Sequence, residues 1–175
     1  LIQFDMNLKS FLTVILTASL LFFFQSSVFG AYKVSPQGES FIKRNEGLSL
    51  KAYCDAGGWS IGYGHHSKSV RPGQVIYKAQ AERYFAEDMV IINNAINKLL
   101  KGKKRQFSQK FIDGLGDLLF NCGEGSVRRS KFYARLGRCR NDKDLKYACA
   151  AVRSHAVRST GHVERRKNTV VMMIS

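Results

Sequence analysis

The stretch Glu46-Gly47-Leu48-Ser49-Leu50-Lys51-Ala52-Tyr53-Cys54-Asp55-Ala56-Gly57-Gly58-Trp59-Ser60-Ile61-Gly62-Tyr63-Gly64-His65 carries most of what this chain says about its fold. Just upstream, Ser35 with Pro36 after it reads as a helix cap with proline at the first helical position. The pattern through Phe41, Ile42 and Asn45 continues that helix to a stop at Gly47, which leaves Glu46 as its last residue. Inside the stretch the period changes. Leu48, Leu50 and Ala52 alternate, and glycines stand at 57, 58, 62, 64 and 73, so residues 48–75 are expected to form short strands and tight turns, a small β lobe.

Downstream the period becomes helical. Ala81, Phe85, Met89, Ile92, Ile96 and Leu99 recur at steps of three and four and predict one long helix over 79–100, ended by the basic loop Lys101–Arg105. Ser108 caps a second helix with Phe111, Leu115, Leu118, Leu119 and Cys122 on its apolar face, stopped by Gly123 and Gly125 and weakened by Gly114 and Gly116. Residues 130–136 and 145–152 read as further helix, while the basic tail from Ser154 resists assignment. The expected architecture is α+β: a small β-hairpin lobe and a larger α-helical lobe joined by a long helix, with a cleft between them.

Residues 1–31 read as a signal peptide or signal anchor rather than as fold material. Lys9 precedes an apolar run from Phe11 to Phe24, and small residues lead from there to Gly30-Ala31; Met6 reads as the natural start. The run is shorter than the roughly 20 residues that span a bilayer comfortably. Residues 32–175 are then one globular domain, in keeping with a chain of 175 residues that is 45% hydrophobic. Net charge is +15, and residues 126–175 alone hold 13 bases against 3 acids. Such a field favours anionic polymers: nucleic acid, anionic lipid or bacterial cell wall. Export argues against nucleic acid, and no RNA- or DNA-reading motif is present. Cys54, Cys122, Cys139 and Cys149 are even in number, so pairing is plausible in an exported chain, with Cys139 and Cys149 weakly favoured by proximity. Neither a C-x-x-C nor a paired His/Cys spacing occurs, so no metal is expected. His65 and His66 are a poor metal pair, since neighbours on an extended segment face opposite ways.

Two carboxylates nine residues apart, Glu46 and Asp55, suit glycosidic hydrolysis, which needs a proton donor for the leaving oxygen and a second carboxylate on the other face of the sugar. Spacing alone does not show this. The surrounding letters do more: Glu46-Gly47-Leu48, Leu50-Lys51-Ala52-Tyr53, Asp55 and Trp59-Ser60-Ile61-Gly62-Tyr63-Gly64-His65 closely resemble the signature of the phage-type lysozymes, the T-even and lambdoid phage endolysins. Val70 to Ile76 resembles the loop before that family's long helix. Phe120-Asn121-Cys122-Gly123 resembles its F-N-x-G motif, Ser130 to Leu136 its next helix, and Gly161 with Arg165-Arg166 its C-terminal G-L-x-x-R-R.

The resemblance implies a muramidase that cuts the β-1,4 link between N-acetylmuramic acid and N-acetylglucosamine in bacterial peptidoglycan, with inversion and without a cofactor. It implies that Glu46 is the general acid, Asp55 the carboxylate that positions water or stabilises the cationic transition state, and Ser60 the hydroxyl that helps hold that water. Trp59 and Tyr63 are candidates for a sugar subsite or for core packing. Asn121 is a candidate to bind substrate or to cap its helix, and His65 reads as a structural bridge from the β lobe to a helix. Arg165 and Arg166 are expected to pair with acids or to contact the wall. The expected setting is an exported monomer, periplasmic or extracellular, touching a membrane only through its N-terminal segment.

Three departures from the family pattern matter. Four residues instead of five separate Asp55 from Ser60, and one residue lost in a hairpin can move a side chain by several ångströms. Cys54 is the alternative occupant of the aspartate's position. Ser60 replaces a threonine, keeping the donor and acceptor set but not the methyl group that restricts the rotamer. Near the C-terminus the family's Trp is absent, His162 stands for Leu and Thr169 for Glu, which leaves the final helix and its packing open. A cationic wall-binding or membrane-acting protein with impaired chemistry on the same fold is the competing reading, and transglycosylation the competing reaction.

Overall fold

Ser35 does at the start of the first helix what its sequence position predicts, and more. Its hydroxyl accepts from the Gly38 N–H at 3.1 Å and donates to Asp113 at 2.6 Å, while its own N–H donates to the same carboxylate at 2.8 Å. One buried acid from a distant helix thereby anchors α1 (Pro36–Glu46). The computed structural model describes residues 31–175 apart from Ala56 and Arg158; the segment read as a signal peptide or anchor lies outside the described residues up to position 30.

Gly47, with φ 72°, ends α1 immediately after Glu46. The chain then forms β1 (Ser49–Asp55), β2 (Gly58–Gly62) and β3 (His65–His66), an antiparallel sheet in the order β1-β2-β3. Val75 bridges Lys51 on the free edge of β1. The small lobe buries Ala52, Ile61, Val70, Ile76 and Ala81 as a core of its own.

The long helix α2 (Lys78–Leu100) has 23 residues and is therefore roughly 34 Å long. Its first turn gives Ala81 to the small core, and Phe85, Met89, Ile96 and Leu99 enter the large one, so a single apolar stripe serves both lobes. Helix α3 (Gln109–Arg128) is the centre of the large lobe. Ser108 caps it, accepting from the Phe111 N–H, and Phe111, Leu115 and Leu118 are fully buried. Gly123, with φ 74° and ψ 155°, breaks the helical path as its position predicts, and a second run of helical turns follows to Arg128. The two glycines that lower its intrinsic propensity are there for close approach: a Cβ on Gly114 would stand 2.6 Å from Met173 Cγ, and one on Gly116 2.4 Å from Val34 Cγ2.

Helices α4 (Lys131–Leu136) and α5 (Asp142–Ala150) come next, then a 3₁₀ turn over Ala151–Ser154. The tail that periodicity left unassigned is α6 (Thr160–Ile174), capped by Ser159 and docked on α3 through Val170 and Met173. Cys54, Cys139 and Cys149 are free thiols, so the Cys139–Cys149 pairing weakly favoured by proximity does not form. Burial, with Cys139 close by, pushes the Cys149 thiol up to about 12, which makes it inert at neutral pH. Among the described residues no helix is long and apolar enough to cross a membrane.

Candidate active site

Glu46 stands where α1 stops, its side chain 17% exposed. Space for it comes from Gly64, in the turn between β2 and β3: φ there is +89°, and a Cβ would lie 3.4 Å from Glu46 Oε2, with Phe120 and the Tyr53 hydroxyl each about 4.0 Å from the same point. Any side chain at 64 would meet both a strained backbone and the carboxylate. Burial is the largest influence on this acid and holds its pKa above the ordinary carboxylate value, against the pull of Arg165.

Arg165 Nη2 is 2.7 Å from Glu46 Oε1 and 2.7 Å from Asp117 Oδ1. Asp117 is completely buried. It accepts from Arg165 Nε at 3.1 Å, from Asn45 Nδ2 at 3.0 Å and from the Thr169 hydroxyl at 2.5 Å. The guanidinium is thus oriented mainly by Asp117, and Glu46 Oε1 receives its charge without an aligned hydrogen bond. A proton held by burial and only partly opposed by a neighbouring cation is what a general acid requires.

The hairpin supplies the other half. Asp55 pairs with Gly58 and Tyr53 with Ser60, so the chain reverses tightly between positions 55 and 58. The register is regular from Tyr53–Ser60 to Asp55–Gly58 and shifts between Ser49 and Tyr53. Strand alternation puts Tyr53, Asp55 and Ser60 on one face and Cys54, Trp59 and Ile61 on the other. The Tyr53 phenol joins the two halves: burial first, then the charges of Asp55 and Glu46, raise its pKa, and a hydrogen bond to Ser60 opposes the rise.

The substrate-contact candidates are distributed unevenly. Asn121 lines a polar cavity of about 480 Å³ together with Arg44, Asn45, Glu46, Arg165 and Asn168. Its carbonyl accepts from Arg166 Nη2 at 2.5 Å. Tyr63 donates to Glu82 at 2.9 Å and meets Phe85 edge-on, beside the Lys43–Glu82 ion pair that ties α1 to α2. Trp59 packs against the core of the small lobe. His65 bridges the lobe to α2, its Nδ1 3.0 Å from Asp88 and its ring stacked on Tyr84.

Asp117, Asn45, Thr169 and His66 are site neighbours to which sequence reasoning gives no role in the site. The paired arginines are the available signal for the first three, since a buried guanidinium demands a buried acid.

The model of the phage lysozyme family matches residues 43–169. An endolysin of Acyrthosiphon pisum secondary endosymbiont phage 1 is 36% identical over 104 residues, covering 59% of this chain and 68% of the relative. Among solved structures, an endolysin from Escherichia coli O157:H7 phage FAHEc1 superposes with a TM-score of 0.68 at 28% identity, over 83% of this chain and 96% of that one. The muramidase domain of SpmX from Asticaccaulis excentricus gives 0.72 at 24% identity over 82% and 99%, a likeness of fold. With the matched segment running from α1 through α6 and containing Glu46, Asp55, Ser60 and Arg165, this chain belongs to the phage lysozyme family.

Proposed function

We propose that this protein is a peptidoglycan-degrading lysozyme that hydrolyses the β-1,4 bond between N-acetylmuramic acid and N-acetylglucosamine, with Glu46 as general acid. The Glu46 carboxyl gives its proton to the glycosidic oxygen as the bond to C1 breaks. Asp55 and Ser60 hold a water on the opposite side, and its oxygen bonds to C1 as Asp55 takes its proton. The observation that carries this reading is that Glu46, held toward its protonated form, and the Tyr53 hydroxyl lie beside the same point over Gly64, with Asp55 and Ser60 on the face of the hairpin that carries Tyr53. The same alternation favours Asp55 over Cys54, whose side chain belongs to the other face of the hairpin.

Asn121 remains a substrate contact through its amide nitrogen, on the wall of the Glu46 cavity. Trp59 and Tyr63 act by packing. The enzyme works outside the cytoplasmic membrane, where its substrate lies, and the N-terminal apolar run takes it there. Digestion of purified peptidoglycan, with mass analysis of the muropeptides, tests the reaction: hydrolysis yields a reducing muramic end. An anhydro end would instead assign transglycosylation, and no cleavage at all would favour the wall-binding alternative.

Basic side chains at the far end of α2 serve attachment to the wall. Lys103, Lys104, Arg138 and Arg140 border a surface cavity of about 700 Å³ between the α2–α3 loop and the turn after α4. Exposed charges of this kind act through a screened field, so co-sedimentation with purified sacculi is expected to fall steeply between about 50 mM and about 500 mM salt. Salt-independent binding would show that attachment runs through the cleft alone.

A further inference from the structure

Ser60 is the member of the site with the least intrinsic order. Its hydroxyl has one proton and two lone pairs, and without a branched methyl neither the rotamer nor the direction of the proton is set by the side chain itself. Yet the side chain is 1% exposed and sits between two partners from neighbouring strands. Tyr53 is its partner on β1. His66, its partner on β3, brings Nδ1 to 3.2 Å from Oγ.

The His66 ring is itself held in place. It lies over the hairpin turn, where a Cβ on Gly58 would come 3.2 Å from Cε1 and one on Gly57 3.6 Å from Nε2. Its neighbour His65 points to the opposite face and is spent on Asp88 and Tyr84. His66 is thus outside the tie that joins the small lobe to α2, and on the face that carries Tyr53, Asp55 and Ser60.

We propose that His66 is a positioning residue for Ser60, doing here what a methyl branch does for a threonine; the proposal rests on the lysozyme reading above. With the imidazole proton on Nε2, Nδ1 accepts the Ser60 O–H. The lone pairs of Oγ are then left to accept, and one of them faces the cleft. A water there donates a hydrogen to Ser60 and keeps its own lone pair for C1. A freely turning Ser60 hydroxyl would instead donate to the water part of the time, which lowers the electron density on the attacking oxygen and turns the water away from its reactive orientation.

The test is kinetic, on the full chain with peptidoglycan fragments as substrate. His66→Ala is expected to lower kcat about tenfold with KM changed less than about twofold, the signature of an interaction that matters only in the transition state. His66→Asn, whose amide oxygen can take the same O–H, recovers most of the loss. Because the His66 side chain is exposed, both variants keep the wild-type melting temperature. In a Ser60→Thr background, where the methyl sets the rotamer, His66→Ala costs less than in wild type. Wild-type kcat in His66→Ala, a change confined to KM, or Asn no better than Ala would each overturn the proposal. An inactive Glu46→Gln beside a fully active His66→Ala removes only the role of His66, whereas an active Glu46→Gln removes the lysozyme reading as well.

Discussion

Glu46→Gln is expected to lower peptidoglycan hydrolysis by about a thousandfold, the scale of a general acid's contribution, without lowering stability at neutral pH. The two halves of this expectation have one cause. Burial raises the Glu46 pKa more than Arg165 lowers it, so the folded protein holds this carboxylate at a net cost in its charged form. Because the folded value lies above the ordinary one, its contribution to stability is complete below the ordinary carboxylate value and drains away as pH rises through the folded value. Glutamine has no such titration. The melting temperature of Glu46→Gln relative to wild type should therefore increase between about pH 4 and about pH 7, the window above the ordinary glutamate pKa. The activity of the wild type should fall on its alkaline side as Glu46 loses its proton. Thermal melts and lysis rates of both proteins across that range check both statements. A variant that loses activity and stability together would point to a structural role for Glu46 instead.

Arg165→Met is expected to destabilise the protein by about 3–5 kcal/mol, since it leaves a fully buried carboxylate without its cation. For a chain of this size that corresponds to a fall in melting temperature of roughly 10 °C. Asn45 and Thr169 still donate to Asp117 but bring no charge. The double variant Arg165→Met with Asp117→Leu should recover part of the loss, because an apolar pair does not have to be desolvated. Denaturant midpoints of the three proteins decide the matter. A loss below about 1 kcal/mol in the single variant would overturn the idea that the Arg165–Asp117 pair holds α6 on α3.

Thr169 shows how the family pattern and the structure divide the explanation. By the pattern it is a departure that puts the last helix in doubt. In the fold its hydroxyl reaches Asp117 at 2.5 Å, and α6 docks on α3 with Val170 and Met173 buried beside it. No feature of residues 154–175 read by themselves discloses this, because the stripe of α6 is broken by the buried polar side chains Arg165, Arg166 and Thr169. Periodicity detects helices that bury apolar residues, and α6 buries charges against charges. Gly123 does break the helical path, and what its position alone leaves out is the second run of turns that follows it to Arg128.

The segment before α1 gives another example. Asn97 accepts from the Tyr32 N–H and donates to the Tyr32 carbonyl, each at 2.8 Å, and Asn93 accepts from the Val34 N–H at 2.9 Å. An asparagine on a long helix does not reveal which extended strand it will imitate. The shortened hairpin could not be judged from spacing either. Spacing does not show which strand positions face each other, and the observed register does: Asp55 stands opposite Gly58 and Tyr53 opposite Ser60.

Sequence by itself determined the α+β architecture, the end of α1 at Glu46, the apolar stripe of α2 and the identity of the hairpin, because each rests on caps, glycines and periods confined to a few neighbouring residues. Tertiary structure alone decided which side chains surround the acid. Arg165 comes to Glu46 across 119 positions, and Asp117 across 71, by way of helix packing. It also decided which strand face Asp55 shares with Ser60, and that His66 stands behind that hydroxyl. The physical reason is that a proton donor's strength, a guanidinium's aim and a hydroxyl's direction depend on neighbours supplied by distant parts of the chain.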